Sequence, residues 1–254
     1  MFYRHHELLE KTKEEIQTIK SFDYQWRNLP NSKYLLTDDE WRKDVDSHIL
    51  DELQVTKEWI EGKTVIDVGC GGGRWTYGFV KLGCKVIATD ISDGPCELTR
   101  ANVPQAEVIK VDIFELPQRM KDKKFDIIWC WGVIHHTANP QAAFSSLVQL
   151  MHKDSLLHLY VYSWNRGIKE KMLSDLINLF SFKNKEKIIR LLINMNILHG
   201  SVHALFDALS PKIKHRISES LVKSWFTMHG LEYRQYAPQW AKYSKDLFVT
   251  GKRG

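Results

Sequence analysis

The feature that most constrains this chain is a glycine-rich segment at residues 64–76, which reads TVIDVGCGGGRWT. Apolar and β-branched residues surround one acid, Asp67, and glycines then stand at alternate positions, Gly69, Gly71 and Gly73. This pattern predicts a buried strand followed by a sharp turn. A main chain without Cβ atoms lets a flat ligand approach closely, and such loops suit nucleotide-like cofactors at the carboxyl ends of parallel strands. The segment therefore predicts an α/β fold with a site for such a cofactor.

The spacing of the glycines distinguishes this loop from two other nucleotide-binding loops. A dinucleotide fingerprint reads G-x-G-x-x-G, and the position of its third glycine is occupied here by Arg74. A P-loop requires Gly-Lys-Ser/Thr after the glycines, and that sequence does not follow. We therefore exclude an NAD-dependent oxidoreductase and a P-loop protein.

Three further strands with acids or a loop at their ends follow the glycines in order. A second strand, residues 85–90, ends in Asp90, which lies 21 residues after Gly69. A third strand from residue 107 runs to Asp112 and Ile113, and a fourth begins with Phe125-Asp126 and leads into Gly-Val-Ile-His-His at residues 132–136. Acids at the ends of adjacent strands are suited to the polar groups of a nucleoside.

This series of motifs resembles the small-molecule type of class I S-adenosylmethionine methyltransferase, over roughly residues 60–165. The resemblance implies a Rossmann-like sheet of seven strands in the order 3-2-1-4-5-7-6, closed by an antiparallel hairpin. In one place the chain departs from the family, which usually has a Pro-Gly-Gly turn before strand five. Residues 152–155 read His-Lys-Asp-Ser there, and we expect Asp and Ser still to form a turn.

The resemblance also implies S-adenosylmethionine (SAM) as the methyl donor and S-adenosylhomocysteine (SAH) as the product. Asp67 is expected to orient the loop and meet the methionyl amine, Asp90 to accept the ribose hydroxyls, and Asp112 to accept the adenine amine. Arg74 either reaches the methionyl carboxylate or lies in solvent at the start of a helix. The residues expected to contact the cofactor are Asp67, Gly69, Cys70, Gly71, Gly73, Arg74, Asp90, Ile91, Asp112, Ile113, Cys130 and Trp131.

His135 and His136 are the candidates for acid–base catalysis. They form a pair of titratable groups on the loop expected to face the transferred methyl group, and a histidine pKa suits the acceptance of a substrate proton. His136 is preferred because it lies further along the loop. The alternative is that the pair serves packing or loop structure.

The chain divides into four predicted segments. Residues 1–58 form a helical N-terminal extension, 59–164 the core, 165–208 a helical insertion after strand five, and 209–254 a helix and a strand hairpin that complete the core. The predicted helices outside the insertion are residues 6–19, 38–59 (with Asp38 as N-cap), 95–102, 141–151 and 218–229, and the later strands are 156–162, 231–236 and 246–251.

Two of these segments carry apolar side chains whose role has more than one interpretation. Residues 22–26, Phe-Asp-Tyr-Gln-Trp, resemble a Phe-x-x-Gln-Trp element of a bacterial methyltransferase subgroup. Its aromatics, with Tyr34 and Trp41, either fold over the cofactor, whose sulfonium is attracted to aromatic faces, or anchor the extension. In the insertion, residues 188–198 are apolar on nearly all sides and require a partner. That partner is the substrate under a cap, a second subunit in a homodimer, or a lipid-like substrate.

Composition adds limits to these expectations. The net charge is +5, and residues 165–216 hold ten Lys/Arg against four Asp/Glu, a surplus typical of solvated helices more than of nucleic-acid binding. The four cysteines are expected to be buried, reduced thiols. His199 and His203 lack a third ligand, so no metal site is expected. The charged N-terminus and the absence of a long apolar run indicate a cytoplasmic protein without a transmembrane segment.

The leading interpretation is a SAM-dependent methyltransferase that acts on O, N or C of a small molecule, such as a secondary metabolite or a sugar- or lipid-like acceptor. Two alternatives stay open. One is a tRNA-modifying methyltransferase, suggested by the basic insertion, and the other is a non-catalytic SAM-binding accessory protein.

Overall fold

The structure, a computed structural model, describes residues 10–29, 39–163, 168–242 and 244–253. Its centre is one seven-stranded sheet in the order β3-β2-β1-β4-β5-β7-β6. Strands β1 to β5 run parallel, and β7 is antiparallel to both β5 and β6. The predicted fold class and strand order are confirmed. The strands are β1 Thr64–Val68, β2 Lys85–Asp90, β3 Glu107–Lys110, β4 Phe125–Trp131, β5 Met151–Val161, β6 Arg234–Gln235 and β7 Leu247–Lys252.

Helices cover both faces of the sheet and continue beyond its carboxyl edge. Apolar side chains of the central strand β4 alternate between two core clusters: Ile128 and Cys130 belong to one, and Ile127 and Trp129 to the other. Burial on both faces is typical of a parallel sheet between helical layers. The helices are α1 Lys13–Asn28, α2 Asp39–Leu53, α3 Lys57–Ile60, α4 Arg74–Lys81, α5 Asp93–Asn102, α6 Leu116–Arg119, α7 Pro140–Val148, α8 Ile168–Ile177, α9 Phe182–Asn194, α10 Val202–Leu209 and α11 Glu219–Met228.

The N-terminal helix differs from its predicted bounds. Helix α1 begins at Lys13 because Thr12 caps it: the Thr12 hydroxyl accepts a hydrogen bond from the Glu15 amide, and the Glu15 carboxylate accepts one from the Thr12 amide. The helix then continues past the predicted end at Ile19 to Asn28. The predicted start, residues 6–9, lies outside the described residues, as do Tyr34, Asp38 and the side chain of Trp41.

Two further boundaries were wrong. The predicted helix 38–59 is divided into α2 and α3, because Thr56 caps the Trp59 amide and starts a new helix. The predicted turn at 152–155 is part of β5, which begins at Met151. The Ser155 hydroxyl donates to the Phe125 carbonyl at 2.7 Å and accepts from the His152 amide at 2.8 Å. These bonds hold the irregular start of β5 against β4 without a Pro-Gly-Gly turn.

Helices α8, α9 and α10 form a unit, here called the cap, that packs against α1. The ring of Tyr24 on α1 stacks on Phe182 and on Phe206, with ring centroids 5.6 Å apart in both cases. Its hydroxyl donates to the Glu186 carboxylate at 2.7 Å. The N-terminal extension and the insertion therefore share a small apolar core, although about 150 residues separate them in sequence. In the part of the chain that the structure describes, no helix is long and apolar enough to cross a membrane.

Candidate functional site

A cavity of about 770 Å³ lies at the carboxyl edge of the sheet. One wall is the glycine loop with the ends of β2, β3 and β4; the opposite wall is built from α1 and the cap. Parallel strands place their carboxyl ends at one edge, which is where ligands bind in folds of this kind. The sheet-side residues on the cavity that the sequence predicted are Gly69, Cys70, Gly71, Arg74, Asp90, Ile91, Asp112, Ile113, Trp131 and His136.

The glycine loop is fixed to the neighbouring strand by its main chain. The amides of Gly69 and Cys70 both donate to the carbonyl of Thr89 on β2, at 2.7 and 2.9 Å. Gly71 has a φ of +55°, and a Cβ atom on it would lie 2.4 Å from Cζ2 of Trp26. No side chain fits there without displacing that ring, so a glycine is required. Gly73 stands at the N-cap of α4 and is not on the cavity wall.

Two acids from adjacent strands face the cavity beside this loop. The Asp90 carboxylate accepts hydrogen bonds from the amides of Gly71 at 3.3 Å and Ser92 at 2.9 Å. Burial raises the pKa of Asp90 to about 6. One oxygen of Asp112 accepts from the Phe114 amide at 3.1 Å, and the other forms an ion pair with Lys11. These hydrogen bonds and the ion pair therefore hold both carboxylates at the cavity wall.

Asp67 and Cys130 lie behind the wall. Asp67 is 1 % exposed, and its carboxylate accepts a hydrogen bond from the Thr76 hydroxyl at 2.6 Å. Burial raises the pKa of Asp67 to about 7. The Cys130 side chain is fully buried in the core, while its neighbour Trp131 faces the cavity. This placement suits Asp67 to orienting the loop from behind.

Arg74 places its guanidinium over two indole rings instead of in solvent. The guanidinium carbon lies 4.4 Å from the ring centroid of Trp75 and 5.2 Å from that of Trp131. Burial lowers the pKa of Arg74 to about 10, so the group is still cationic at neutral pH. A cation held by aromatic faces at the cavity wall is suited to binding an anionic group.

The two histidines of the β4 loop have different surroundings. His136 lines the cavity, and its Nδ1 lies 2.8 Å from the carbonyl oxygen of Ile213. A carbonyl only accepts, so Nδ1 carries the proton of the neutral ring and Nε2 carries the lone pair. His135 is fully buried off the cavity, stacked on Tyr162 with centroids 3.9 Å apart. The packing alternative thus describes the position of His135, whereas His136 lies on the cavity wall and its catalytic role stays a prediction.

Three polar side chains that were not predicted as site residues lie in this part of the cavity: Asp207 and His203 from the cap, and Tyr162 directly after β5. Asp207 Oδ2 lies 4.0 Å from Nε2 of His136, and the Tyr162 hydroxyl, at the end of β5, donates to the same carboxylate oxygen. His203 lies edge-on to Trp26, with centroids 4.6 Å apart, and burial lowers its pKa to about 4. The sequence contains a signal for Asp207, because this residue is the single acid in the otherwise largely apolar helix α10, VHALFDAL.

The aromatic element of α1 faces the site from the other side. Phe22 makes an edge contact with His136, at 4.9 Å between centroids, and Trp26 lies across the glycine loop at Gly71. Tyr24, between them, points to the cap. The two interpretations of this element therefore apply to different residues, since Phe22 and Trp26 line the cavity and Tyr24 anchors the helix.

Comparisons with known proteins agree with this geometry. Residues 66–159 match the family model of a methyltransferase domain. The fold is similar to magnesium protoporphyrin IX methyltransferase from Synechocystis PCC 6803 crystallised with SAM, with a TM-score of 0.61 and 14 % identity over 97 % of this chain and 100 % of that one. Residues 66–159 therefore form a methyltransferase domain. The fold is also similar to PKMT2 from Rickettsia typhi in complex with AdoHcy, with a TM-score of 0.58 and 12 % identity over 76 % and 49 % of the two chains.

Curated relatives resemble this chain over part of their length. It is 28 % identical over 131 residues to a ubiquinone biosynthesis O-methyltransferase from Actinobacillus pleuropneumoniae serotype 7, covering 49 % of this chain and 55 % of the relative. It is 25 % identical over 137 residues to the protein of the same name from Acinetobacter baylyi, covering 52 % and 54 %. The chain spans about half the length of the curated relatives it matches. The matched domain ends before the cap begins.

Proposed function

We propose that this protein transfers a methyl group from SAM to an oxygen atom of a small molecule. The observation that carries the proposal is that the glycine loop with Asp90 and Asp112 shares one cavity with His136, whose neutral ring carries its lone pair at Nε2. Methyl transfer from SAM to a hydroxyl requires both halves: a site for the donor and a base for the acceptor.

The residues on the sheet side fit the donor. The loop backbone at Gly69 and Gly71 leaves room for a flat ligand, Asp90 is placed to accept ribose hydroxyls, and Asp112 to accept the adenine amine once Lys11 gives way. Arg74 supplies a cation for the methionyl carboxylate. When bound, SAM supplies a methyl group on a sulfonium, and its S–C bond electrons stay on sulfur as the neutral thioether SAH.

On the acceptor side, His136 removes the proton. The O–H bond of the acceptor breaks, the proton moves to Nε2, and the oxygen forms its new bond to the methyl carbon. The carbonyl of Ile213 holds the ring in the tautomer that this step needs. Phe22 and Trp26 close the cavity from the α1 side and exclude water.

The acceptor that suits this cavity is a largely apolar molecule with a hydroxyl group. The cap wall contributes Leu173, Leu198, Leu205 and Leu209, and the polar groups are concentrated around His136. The names of the curated relatives support oxygen as the accepting atom. A cytoplasmic location, a homodimer through the cap and the four segment boundaries stay predictions.

The proposal is tested first by binding. Calorimetry is expected to show binding of SAM and SAH, and none of NAD. Asp90→Ala is expected to weaken SAH binding by about 2 kcal/mol, the cost of leaving buried hydroxyls without an acceptor. Asp93→Ala is the matched control, because Asp93 is an exposed acid three residues away, paired with Lys110. Binding of NAD without SAM would contradict the proposal.

A further inference from the structure

We propose that Asp207 of the cap is a positioning residue that stabilises His136 in its protonated form, so that the cap supplies part of the catalytic machinery. The inference rests on the proposed function, in which His136 takes the acceptor's proton. It assigns a role in proton transfer to helix α10, which lies outside the matched methyltransferase domain, residues 66–159.

The geometry fixes both members of this pair. Nδ1 of His136 is held by the Ile213 carbonyl at 2.8 Å, which turns Nε2 toward α10. There Oδ2 of Asp207 lies 4.0 Å from Nε2. The Tyr162 hydroxyl donates to the same oxygen, so the carboxylate is held by a residue directly after β5 as well as by its own helix. Each side chain thus has a second contact that sets its orientation.

The charges around His136 favour this role. Among the described residues, the side chains in contact with His136 include Phe22 from α1, His135 from its own loop, Tyr162 directly after β5 and Asp207 from α10, and His203 of α10 lines the same cavity. His203 is neutral near pH 7, because burial lowers its pKa to about 4. Lys214, beside Ile213, is turned to the Ser174 hydroxyl and the Ala208 carbonyl. Asp207 is therefore the anion of this group.

The chemical consequence follows from the proton transfer. Before the transfer, the neutral ring offers a lone pair at Nε2. After it, the ring is an imidazolium whose new N–H lies beside the Asp207 carboxylate, and an opposite charge at about 4 Å favours the charged form. The carboxylate does not take the proton; it makes His136 a stronger base. Because Asp207 lies in the cap, the base is at full strength only when α10 is packed against the core.

The test is a titration of His136 followed by NMR in the full-length protein with histidine labelled by ¹³C and ¹⁵N, with and without SAH. His136→Gln identifies the signal. The wild-type ring is expected to be the Nδ1-protonated tautomer when neutral. Asp207→Asn is expected to lower the titration midpoint by about one pH unit, a tenfold loss of proton affinity. Asp175→Asn, an exposed cap acid paired with Lys171, is the matched control and is expected to leave the midpoint unchanged.

Two results would overturn the inference. An unchanged midpoint in Asp207→Asn would show that the carboxylate does not act on His136. An Nε2-protonated tautomer in the wild type would overturn the inference in a different way, because that nitrogen then has no lone pair for the acceptor's proton and Asp207 has no protonated base to stabilise. The titration needs neither acceptor nor turnover, so a failure of the proposed function, seen as an absence of SAH binding, is distinguishable from a failure of this inference.

Discussion

The two walls of the cavity are held in place by different physical means. The glycine-loop wall is main chain fastened to the sheet: the loop amides donate to Thr89, and Gly71 donates to Asp90. The cap wall is made of side chains on helices that reach the core mainly through α1. Away from the cavity, the cap contains Lys185, which is 2 % exposed and donates to the Asn178 side chain at 2.6 Å and to the Ser210 carbonyl at 3.2 Å.

Under the proposed function, this difference gives one site a rigid half for the methyl donor and an adjustable half for the acceptor. Sheet hydrogen bonds leave the loop few alternative positions, which suits a ligand of constant shape. Lys185 is instead a buried cation whose hydrogen-bond partners are neutral, an arrangement that lowers its pKa to about 8. A cap that contains a desolvated charge is less stable than a wall made of paired amides. We therefore expect substitutions to affect the two walls differently.

The largest effect is expected in the glycine loop. Gly71→Ala is expected to lower the free energy of unfolding by about 4 kcal/mol, from backbone strain and from the clash with Trp26. Gly62→Ala is the control, since Gly62 has a φ of +78° but nothing within 4 Å of its Cβ position. It is expected to cost about 1 kcal/mol, from strain alone. Urea unfolding of both variants checks this, and equal losses would mean that the ring moves aside freely.

The second prediction concerns the acid behind the loop. The pKa of Asp67, about 7 in the folded protein, exceeds the ordinary aspartate value of 3.8, so stability is lost as pH rises through about 7. Asp67→Asn is expected to raise the free energy of unfolding at pH 8 by about 3 kcal/mol and to leave it unchanged at pH 4. Asp122→Asn, at an exposed position, is expected to change little at either pH. A gain at pH 4 equal to that at pH 8 would refute the charge argument.

The cap is expected to respond to pH in the opposite sense. The folded pKa of Lys185, about 8, is below the ordinary lysine value of 10.5, so stability rises as the pH increases between these values. Unfolding in urea at pH 7 and pH 9.5 is expected to show this rise, and Lys185→Met to reduce it by about 2 kcal/mol. Lys183→Met, an exposed position on the same helix, is expected to keep the wild-type slope. If both variants keep that slope, the charge on Lys185 does not set the stability of the cap.

The smallest effect is expected where the two walls meet. Lys11 pairs with Asp112 from a side chain that is 40 % exposed. Lys11→Met is expected to strengthen SAH binding two- to threefold, because one carboxylate oxygen is released and exposed ion pairs are weak. The gain is expected to vanish at about 1 M salt, where such pairs are screened. Calorimetry with Lys13→Met as control checks this, and weaker binding would mean that Lys11 contacts the ligand directly.

The sheet and its loop were predictable because their information is local. The strand β2 has the predicted bounds, and the order of all seven strands is confirmed. Alternating glycines after an apolar run specify a turn through the conformations they alone allow, and each acid follows its strand directly. The predicted boundaries were wrong where one side chain decides where an element begins. Thr12 and Thr56 cap helices, and Ser155 bonds the start of β5 to β4.

What the sequence determined by itself is the donor half: an α/β sheet, the glycine loop, and the acids at the strand ends. Only the tertiary structure decided which histidine faces the cavity, that Phe22 and Trp26 line it, and that Asp207 stands beside His136. The physical reason is the range of the interactions. Loop and strand contacts join residues near in sequence or in the sheet register, whereas the acceptor half joins α1, β5 and α10, whose packing depends on side chains far apart along the chain.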